Sequence, residues 1–446
     1  MSYQLAKKRF SLPRVASNQC LISRSALRLT VVMACLSTCC QPFAQTVTRA
    51  LTGIPIYSVA SSSGGTKLVA GSDSRTSSGS IYTSTNSGAT WTMTYPGGNS
   101  TWVAIASSAD GTKLVAASAS HLFTSTNSGA EWSQRTDWYD NWASVASSTD
   151  GTRLAAGSLA YGGSGRIYTS SDSGGAWKLA TTPKNDWSSI ATSADGRKLV
   201  AAAGWFALST KGGIYTSTNW GDTWTETTAP SNIWSSLASS ADGTKLAAAA
   251  YRSDWASTPP GGIYVSTDSG VTWQPAPGDA FMGYSSWTGV ASSGDGTRLA
   301  ALSEGGGLMI STNSGALWSG TAGFGVSGVF GRFTSIASSV DGTQFLIGCE
   351  SVYNSMSLPG LFIYTLSSPP PPLIITGGFT SPQGPFLLGF AGDTNASYHM
   401  VAATDPALPP SSWTTLGTST VTNGAHQFID TQATNYSKRF YRVTSP

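Results

Sequence analysis

Carboxylate side chains are the main candidates for acid–base chemistry in this chain of 446 residues, which has 22 Asp and Glu residues but only three His. Thirteen of the 22 lie in or beside recurring turn motifs or in residues 373–446. Two of the remaining nine could act as the acid and the base of a glycosidase, but no spacing selects the pair. The nine are Asp73, Asp137, Asp140, Asp186, Glu226, Asp254, Asp279, Glu304 and Glu350.

Histidine and cysteine give little support for metal or nucleophile chemistry. His121, His399 and His426 lack the spacing of metal ligands, and Cys349 has no His partner in the sequence. We therefore expect no metal site and no cofactor.

Aromatic residues beside polar ones form a second group of candidates, for binding rather than catalysis. Exposed rings next to hydrogen-bonding groups suit stacking on sugars or anchoring a protein partner. The alternative is that the rings pack on one another and shield long loops. The candidate binding residues are Trp138, Tyr139, Trp205, Phe206, Tyr251, Arg252, Asp254, Trp255 and Tyr284.

These candidates lie in the loops of an internal repeat. The motif Ser-x-Asn/Asp-x-Gly-x-x-Trp occurs six times, with Trp spacings of 41, 45, 47, 49 and 45 residues. A second motif, which starts at Trp102 and turns at Asp110-Gly111, occurs in seven copies, of which the first is weaker. We predict structural roles in turns for the Asn or Asp of the first motif, because their side-chain oxygens can accept backbone N–H bonds. These residues are Asn86, Asn127, Asp172, Asn219, Asp268 and Asn313.

Each copy predicts four short strands, and about 45 residues with four strands is typical of a β-propeller blade. Seven copies predict an all-β fold with a seven-bladed propeller over residues 45–367. The last copy lacks a fourth strand of its own. We therefore expect residues 46–51 to supply that strand and close the ring, which leaves no open sheet edge.

Strand direction divides the loops between two faces. The loops between strands one and two and between strands three and four share one face, which we call the turn face. The other two sets of loops share the opposite face, which we call the loop face. Turn-face sequences are uniform, whereas loop-face sequences vary and hold the aromatic candidates. Variable loops on a rigid scaffold predict binding at the loop face.

The first 44 residues predict a secretory signal peptide. Six basic residues and no acidic ones precede an apolar run over residues 29–40, which is too short for a permanent membrane span. We expect cleavage near Ala44. An alternative is lipid attachment at Cys39, because Leu36-Ser37-Thr38-Cys39 is similar to a bacterial lipoprotein box. The expected location is therefore secreted or associated with the cell envelope.

Cleavage would also change the charge of the chain. The formal net charge is +3, but removing the six basic residues leaves 19 basic against 22 acidic ones. No Lys/Arg stripe remains, which argues against nucleic acid as a partner. Only 11% of the residues are charged, against about 25% in an average soluble domain. We expect a monomer without a transmembrane span in the mature chain.

The repeated Ser-x-Asn/Asp-x-Gly-x-x-Trp element resembles the Asp-box, or BNR, repeat of sialidases, sortilin-type receptors, xyloglucanases and photosystem assembly factors. The resemblance is strong over residues 81–318 and implies a propeller over residues 46–366. Sialidases also need three substrate-binding arginines and an Arg-Ile-Pro motif. Arg166, Arg252 and Arg332 do not reproduce that pattern, and sialidase rings have six blades.

Residues 368–372 predict a proline-rich linker, and residues 373–446 predict a small β-sandwich. Residues 413–417 and 439–443 are similar to C-terminal modules of secreted bacterial proteins that resemble fibronectin type III domains, which implies attachment or spacing. We conclude that the chain is a secreted, non-catalytic protein that binds an extracellular glycan or protein. The alternative is a glycoside hydrolase or sialidase-like enzyme acting on extracellular carbohydrate.

Overall fold

The computed structural model divides the chain into two compact units, Ala44–Ser367 and a second that contains Ser368–Pro446. Each unit is described by itself. The structure describes residues 45–74, 79–95, 100–135, 139–159, 164–205, 210–251, 262–277, 286–304, 307–320, 331–352, 359–366, 375–379, 386–390, 399–404, 414–418, 420–422, 425–432 and 440–444.

The first unit is a seven-bladed β-propeller, as the repeat predicts. Each blade is an antiparallel sheet of four strands, with the first strand innermost. Blade 1 has β2 (Ile56–Ser61), β3 (Leu68–Ser72), β4 (Ile81–Ser84) and β5 (Thr92–Tyr95). Blade 2 has β6 (Trp102–Ser107), β7 (Leu114–Ser118), β8 (Leu122–Ser125) and β9 (Ser133–Gln134). Blade 3 has β10 (Asn141–Ser147), β11 (Leu154–Leu159), β12 (Ile167–Ser170) and β13 (Lys178–Leu179).

The remaining blades repeat this order. Blade 4 has β14 (Trp187–Thr192), β15 (Leu199–Trp205), β16 (Thr210–Ser217) and β17 (Thr225–Glu226). Blade 5 has β18 (Trp234–Ser239), β19 (Leu246–Ala250), β20 (Gly262–Ser266) and β21 (Gln274–Pro275). Blade 6 has β22 (Trp287–Ser292), β23 (Leu299–Ser303), β24 (Leu308–Ser311) and β25 (Ser319–Gly320). Blade 7 has β26 (Gly331–Ser338), β27 (Gln344–Val352), β28 (Gly360–Leu366) and β1 (Gln45–Ala50).

Blade 7 joins the two ends of the propeller chain. Strand β1 lies antiparallel to β28, with Thr46 opposite Thr365 and Ala50 opposite Leu361. The outer strand of this blade therefore precedes blade 1 in the sequence, in the segment predicted to close the ring. The inner strands β2, β6, β10, β14, β18, β22 and β26 each contact the next, and β26 contacts β2.

A closed ring of backbone hydrogen bonds links the turns between strands one and two. The N–H of one residue in each turn donates to the carbonyl of the equivalent residue in the next blade, at 2.7 to 2.8 Å. The seventh bond returns to the first turn, so the ring matches the number of blades. Its members are Ser63, Ala109, Thr149, Ala194, Ala241, Gly294 and Val340.

The core lies between the blades. The second strand of a blade is covered on both faces and is therefore mainly apolar, as in β19, where Leu246 and four Ala residues are all buried. Small Ala side chains let neighbouring sheets approach, and one large ring fills the space that remains. Trp102, Trp187 and Trp234, each the first residue of an inner strand, are almost completely buried.

The second unit contains two sheets among its described residues. One has the order β29 (Ile375–Phe379), β30 (Phe386–Phe390), β34 (Ala425–Asp430) and β33 (Thr420–Thr422). The other has the order β32 (Thr414–Thr418), β31 (His399–Ala403) and β35 (Phe440–Thr444). All their pairings are antiparallel. No helix in the described part of the chain is long and apolar enough to cross a membrane.

Candidate functional site

The six Ser-x-Asx turns on the turn face use their side chains to hold their own backbone. In each turn the Ser hydroxyl donates to the Asx Oδ1 at 2.8 to 3.0 Å. The Ser Oγ also accepts from the Gly N–H at 2.9 to 3.0 Å. The same Oδ1 accepts a backbone N–H four residues on, at 2.8 to 3.0 Å. These bonds occupy the side chains of Asn86, Asn127, Asp172, Asn219, Asp268 and Asn313.

The turn aspartates between strands one and two are held in the same way. Asp110 Oδ1 accepts from the Ser108 hydroxyl at 2.6 Å and from the Thr112 N–H at 2.9 Å. These hydrogen bonds, with that from Ser108 the largest cause, lower the pKa of Asp110 to about 2. The same set lowers the pKa of Asp150, Asp242 and Asp295 to about 2. The turn carboxylates are therefore ionised and committed to structure.

The loop face is different at a position that the strand register makes equivalent in all blades. In each blade, one residue at the end of strand two lies opposite the first Trp, Ile or Phe of the inner strand. The equivalent position is the residue that follows it. Blades 2, 3 and 4 carry Ala119, Leu159 and Gly204 there. Blades 5, 6, 7 and 1, which are neighbours in the ring, carry Tyr251, Glu304, Glu350 and Asp73. Chemically active side chains are thus concentrated on one side of the loop face.

Three of these side chains meet around an arginine. Tyr251 Oη donates to Glu304 Oε2 at 3.0 Å. Arg332 Nε lies 3.5 Å from Glu304 Oε1, and its Nη1 lies 3.4 Å from Glu350 Oε2. The side chains of Glu304 and Arg332 are about a third exposed or less, and that of Glu350 is 13% exposed. We call Tyr251, Glu304, Arg332 and Glu350 the Arg332 cluster.

The tyrosine of the Arg332 cluster is a hydrogen-bond donor and not an activated nucleophile. Burial is the largest cause that raises the pKa of Tyr251, followed by its bond to Glu304 and the charge of that carboxylate. The phenol therefore stays protonated at neutral pH. A nucleophilic phenol would have to lose this proton, so the environment of Tyr251 opposes that role.

The Arg332 cluster also singles out two of the nine unassigned carboxylates. Glu304 and Glu350 share one guanidinium, so the three groups together carry one negative charge. Such an arrangement can accept hydrogen bonds from a ligand and pair with a cationic group. Glu304 directly follows β23, and Arg332 and Glu350 belong to β26 and β27, so strands of blades 6 and 7 position all three.

A second loop-face group lies between blades 2 and 3. The Tyr139 side chain is 77% exposed, and its ring meets the His121 ring edge-on with centroids 4.5 Å apart. The Ser120 hydroxyl and His121 Nδ1 are 3.0 Å apart. Tyr139 therefore presents an open aromatic surface beside polar groups, which is the property proposed for the binding candidates.

The other candidates are distributed differently. Trp205 ends strand β15, opposite Thr210, so its backbone belongs to a hairpin and not to an irregular loop. Asp73 is buried and accepts from the Thr101 hydroxyl at 2.9 Å. Six candidates lie outside the described residues, namely Trp138, Phe206, Arg252, Asp254, Trp255 and Tyr284. No group of three or more potential metal ligands occurs within the described ranges.

Sequence reasoning found Tyr251 but not the cluster around it. In the sequence, Arg332 belongs to no motif, and Glu304 and Glu350 are two of nine carboxylates that no spacing distinguishes. Aligning the seven copies at the residue after strand two would have shown three reactive side chains in successive blades. That signal was present in the repeat itself.

No family model matches the chain. No curated protein matches it either. Among solved structures, the chain is similar to YCF48 bound to D1 peptide, with 14% identity, a TM-score of 0.52 and coverage of 74% of this chain and 98% of the other. It is also similar to YCF48 from Cyanidioschyzon merolae, with 14% identity, a TM-score of 0.52 and coverage of 72% and 98%.

A third similar structure is the GH74 enzyme of Niastella koreensis, with 15% identity and a TM-score of 0.51. The match covers 79% of this chain and 59% of the enzyme. At these identities the likenesses show the fold alone. The chain has the seven-bladed propeller architecture and is structurally similar to the YCF48 and GH74 propellers.

Proposed function

We propose that the chain is a non-catalytic binding protein that holds an extracellular protein or glycan on the loop face, at the Arg332 cluster. The observation that carries the proposal is the shared guanidinium of Glu304 and Glu350 beside the protonated Tyr251. The cluster offers a donor, several acceptors and one net negative charge, and it is partly open to solvent. These are properties of a recognition surface.

The similarity to YCF48 bound to D1 peptide supports a peptide ligand, and the exposed ring of Tyr139 supports a glycan. Binding of the full chain to peptide and glycan arrays separates the two. We expect Tyr251→Phe and Glu304→Gln to weaken binding about tenfold, since each removes one hydrogen bond to or within the site. Glu131→Gln, which removes an exposed turn-face charge, is the matched control. Unchanged binding in both loop-face variants would contradict the proposal.

A second candidate function is glycoside hydrolysis, favoured by the approach of Glu304 and Glu350 to one guanidinium and by the likeness to the GH74 enzyme. Fluorogenic glycosides test it directly. Turnover that disappears in both Glu304→Gln and Glu350→Gln would replace the binding proposal with the hydrolase. Binding without turnover would exclude the hydrolase for the substrates used.

We also propose that residues 1–44 direct export and that the second unit is a β-sandwich that attaches or spaces the propeller. The two sheets of that unit support the sandwich, and the basic and apolar runs before residue 45 support export.

N-terminal sequencing of the mature protein tests the export proposal. Retention of the intact N-terminus would contradict it, and a lipid on Cys39 would change the cleavage site.

A further inference from the structure

One groove on the turn face departs from the repeat in several places at once. The residue after the turn Gly is Arg197 in blade 4 but Thr in the six other blades. The residue between Asx and Gly in the Ser-x-Asx-x-Gly turn is Trp220 in blade 4 but Ser in the five other copies. The Thr residues are Thr66, Thr112, Thr152, Thr244, Thr297 and Thr343. The Ser residues are Ser87, Ser128, Ser173, Ser269 and Ser314.

The two exceptional side chains of blade 4 lie together with an arginine of blade 3. Arg153 Cζ is 4.8 Å from the centroid of the Trp220 ring, and Arg197 Cζ is 5.4 Å from it. Arg197 Nε donates to the Thr218 carbonyl at 3.1 Å. Among the described residues, the Arg153 guanidinium has no carboxylate partner. Trp220 is 39% exposed.

Two further departures form the rim of the same groove. Lys178 and Asp222 occupy positions that are uncharged in the other copies, and Lys178 Nζ lies 2.8 Å from Asp222 Oδ1. Both residues line a cavity of about 320 Å³, together with Arg153, Trp177 and Trp220. A second cavity, of about 440 Å³, is lined by Arg197 and Lys198 and also by Asp195 and Asp242. Arg197 links the two cavities, because its guanidinium contacts the Trp220 ring of the first. We call the two cavities and the residues between them the Trp220 groove.

Structure alone does not require these exceptions. Two of the Ser residues equivalent to Trp220 accept a hydrogen bond from a lysine of the preceding blade, Lys67 Nζ to Ser128 Oγ at 3.1 Å and Lys198 Nζ to Ser269 Oγ at 3.3 Å. A Thr hydroxyl also supports the turn carboxylate, as between Thr112 and Asp110 Oδ2 at 2.7 Å. Arg197 has no hydroxyl to make that bond. The backbone of Trp220 has φ 59°, a conformation in which bulky residues are rare. Both features lower the stability of the turn. Binding of a ligand by Arg197 and Trp220 would explain why these residues are present.

We propose that the Trp220 groove binds a glycan that carries carboxylate groups. Arg153 and Arg197 supply planar cations that suit a carboxylate. The walls combine two indole rings with hydroxyl groups of Thr169 and Ser171, which suits a sugar ring with apolar and hydroxyl edges. A cavity of this volume lies at the small end of ligand pockets and fits single sugar units rather than a folded surface. This site is on the face opposite the Arg332 cluster, and the proposal does not depend on that cluster.

The test measures binding of the full chain to oligogalacturonate and oligomannuronate by calorimetry. The methyl ester of oligogalacturonate has the same backbone without the charge and serves as the matched ligand. We expect at least tenfold weaker binding of the ester and a loss of affinity with added salt. Failure to bind either acidic glycan, or equal binding of the ester, would overturn the proposal.

Two variants return the groove to the repeat's own residues and should therefore fold. We expect Trp220→Ser and Arg197→Thr each to weaken acidic-glycan binding at least fivefold. Arg298→Lys, a substitution in blade 6 to the commonest repeat residue, should leave it unchanged. Unchanged affinity in both groove variants would refute the site, and preferential binding of polyglutamate would refute the glycan assignment.

Discussion

The two faces of the propeller use the same repeat in different ways. On the turn face, equivalent residues make equivalent hydrogen bonds, and the backbone ring passes through every blade. On the loop face, the equivalent position after strand two changes from Ala119 and Gly204 to Tyr251 and Glu304. The turn face is therefore specified by backbone geometry, whereas the loop face is free to diverge.

This difference determines what an unusual residue means on each face. A loop-face aromatic such as Tyr139 breaks no rule, so its presence alone is weak support for a function. A turn-face exception such as Trp220 stands at a position where Ser128 and Ser269 accept hydrogen bonds from lysines of the preceding blade. An unusual residue on the turn face is therefore stronger support for a function than one on the loop face, although the loop face contains more candidates.

The largest expected effect tests the constraint on the turn face. Gly342 has φ +65°, and a Cβ there would lie 2.7 Å from Arg298 Cβ and 2.9 Å from Ser293 Cβ. We expect Gly342→Ala to lower the free energy of unfolding by about 3 kcal/mol, because it combines backbone strain with overpacking. Urea unfolding measures the change.

Two controls separate this constraint from a general sensitivity to substitution. Gly64→Ala lies in the equivalent turn of blade 1, where a Cβ meets no heavy atom within 4 Å. Tyr139→Ala removes an exposed loop-face ring. Both should change stability by less than about 0.5 kcal/mol. A loss at Tyr139 as large as that at Gly342 would remove the distinction between the faces.

The fold was predictable because the repeat reports backbone requirements. Six of the seven blades carry the Trp of the Ser-x-Asx turn, and six carry Asp-Gly between strands one and two. The lack of a fourth strand after Tyr364 also pointed to the N-terminal strand that now lies beside β28. The spacing of the repeats therefore predicted the number of blades and the order of their strands.

The sites were less predictable because each is made by residues from several blades. Glu304, Arg332 and Glu350 are brought together by strand register, which a linear motif search does not consider. Trp220 was overlooked for a different reason. The motif Ser-x-Asn/Asp-x-Gly-x-x-Trp leaves the residue before Gly unspecified, so a bulky Trp220 there does not interrupt the pattern.

The next effect in size concerns acid stability. Hydrogen bonds lower the pKa of Asp242 to about 2, below the unfolded value of about 3.9. The carboxylate therefore stabilises the folded state above about pH 4, and this contribution is lost as the pH falls towards 2. We expect Asp242→Asn to cost about 1 kcal/mol at pH 7, less than the full pKa shift implies because solvent screens the exposed carboxylate, and progressively less below pH 4.

Thermal unfolding of both proteins between pH 7 and pH 2 checks this prediction. Asp222→Asn is the control, because its carboxylate meets the exposed Lys178 and such pairs contribute little. A difference between Asp242→Asn and the wild type that persists unchanged at pH 2 would show that the turn depends on side-chain shape and not on charge.

The smallest expected effect concerns blade 1, whose turn between strands one and two lacks the aspartate found in the other blades. Blade 1 has Gly64 where the other blades have Asp, yet Lys67 N still donates to Ser62 Oγ at 3.0 Å, as Lys113 N does to Ser108 Oγ. An Asp at position 64 has open space and the same Ser and Thr donors nearby. We expect Gly64→Asp to raise the unfolding free energy by about 0.5 kcal/mol more than Gly64→Ala. Equal effects of the two substitutions in urea unfolding would mean that the carboxylate adds nothing beyond the reduced entropy of the unfolded chain. The turns would then be similar in sequence but would differ in how much their aspartates contribute to stability.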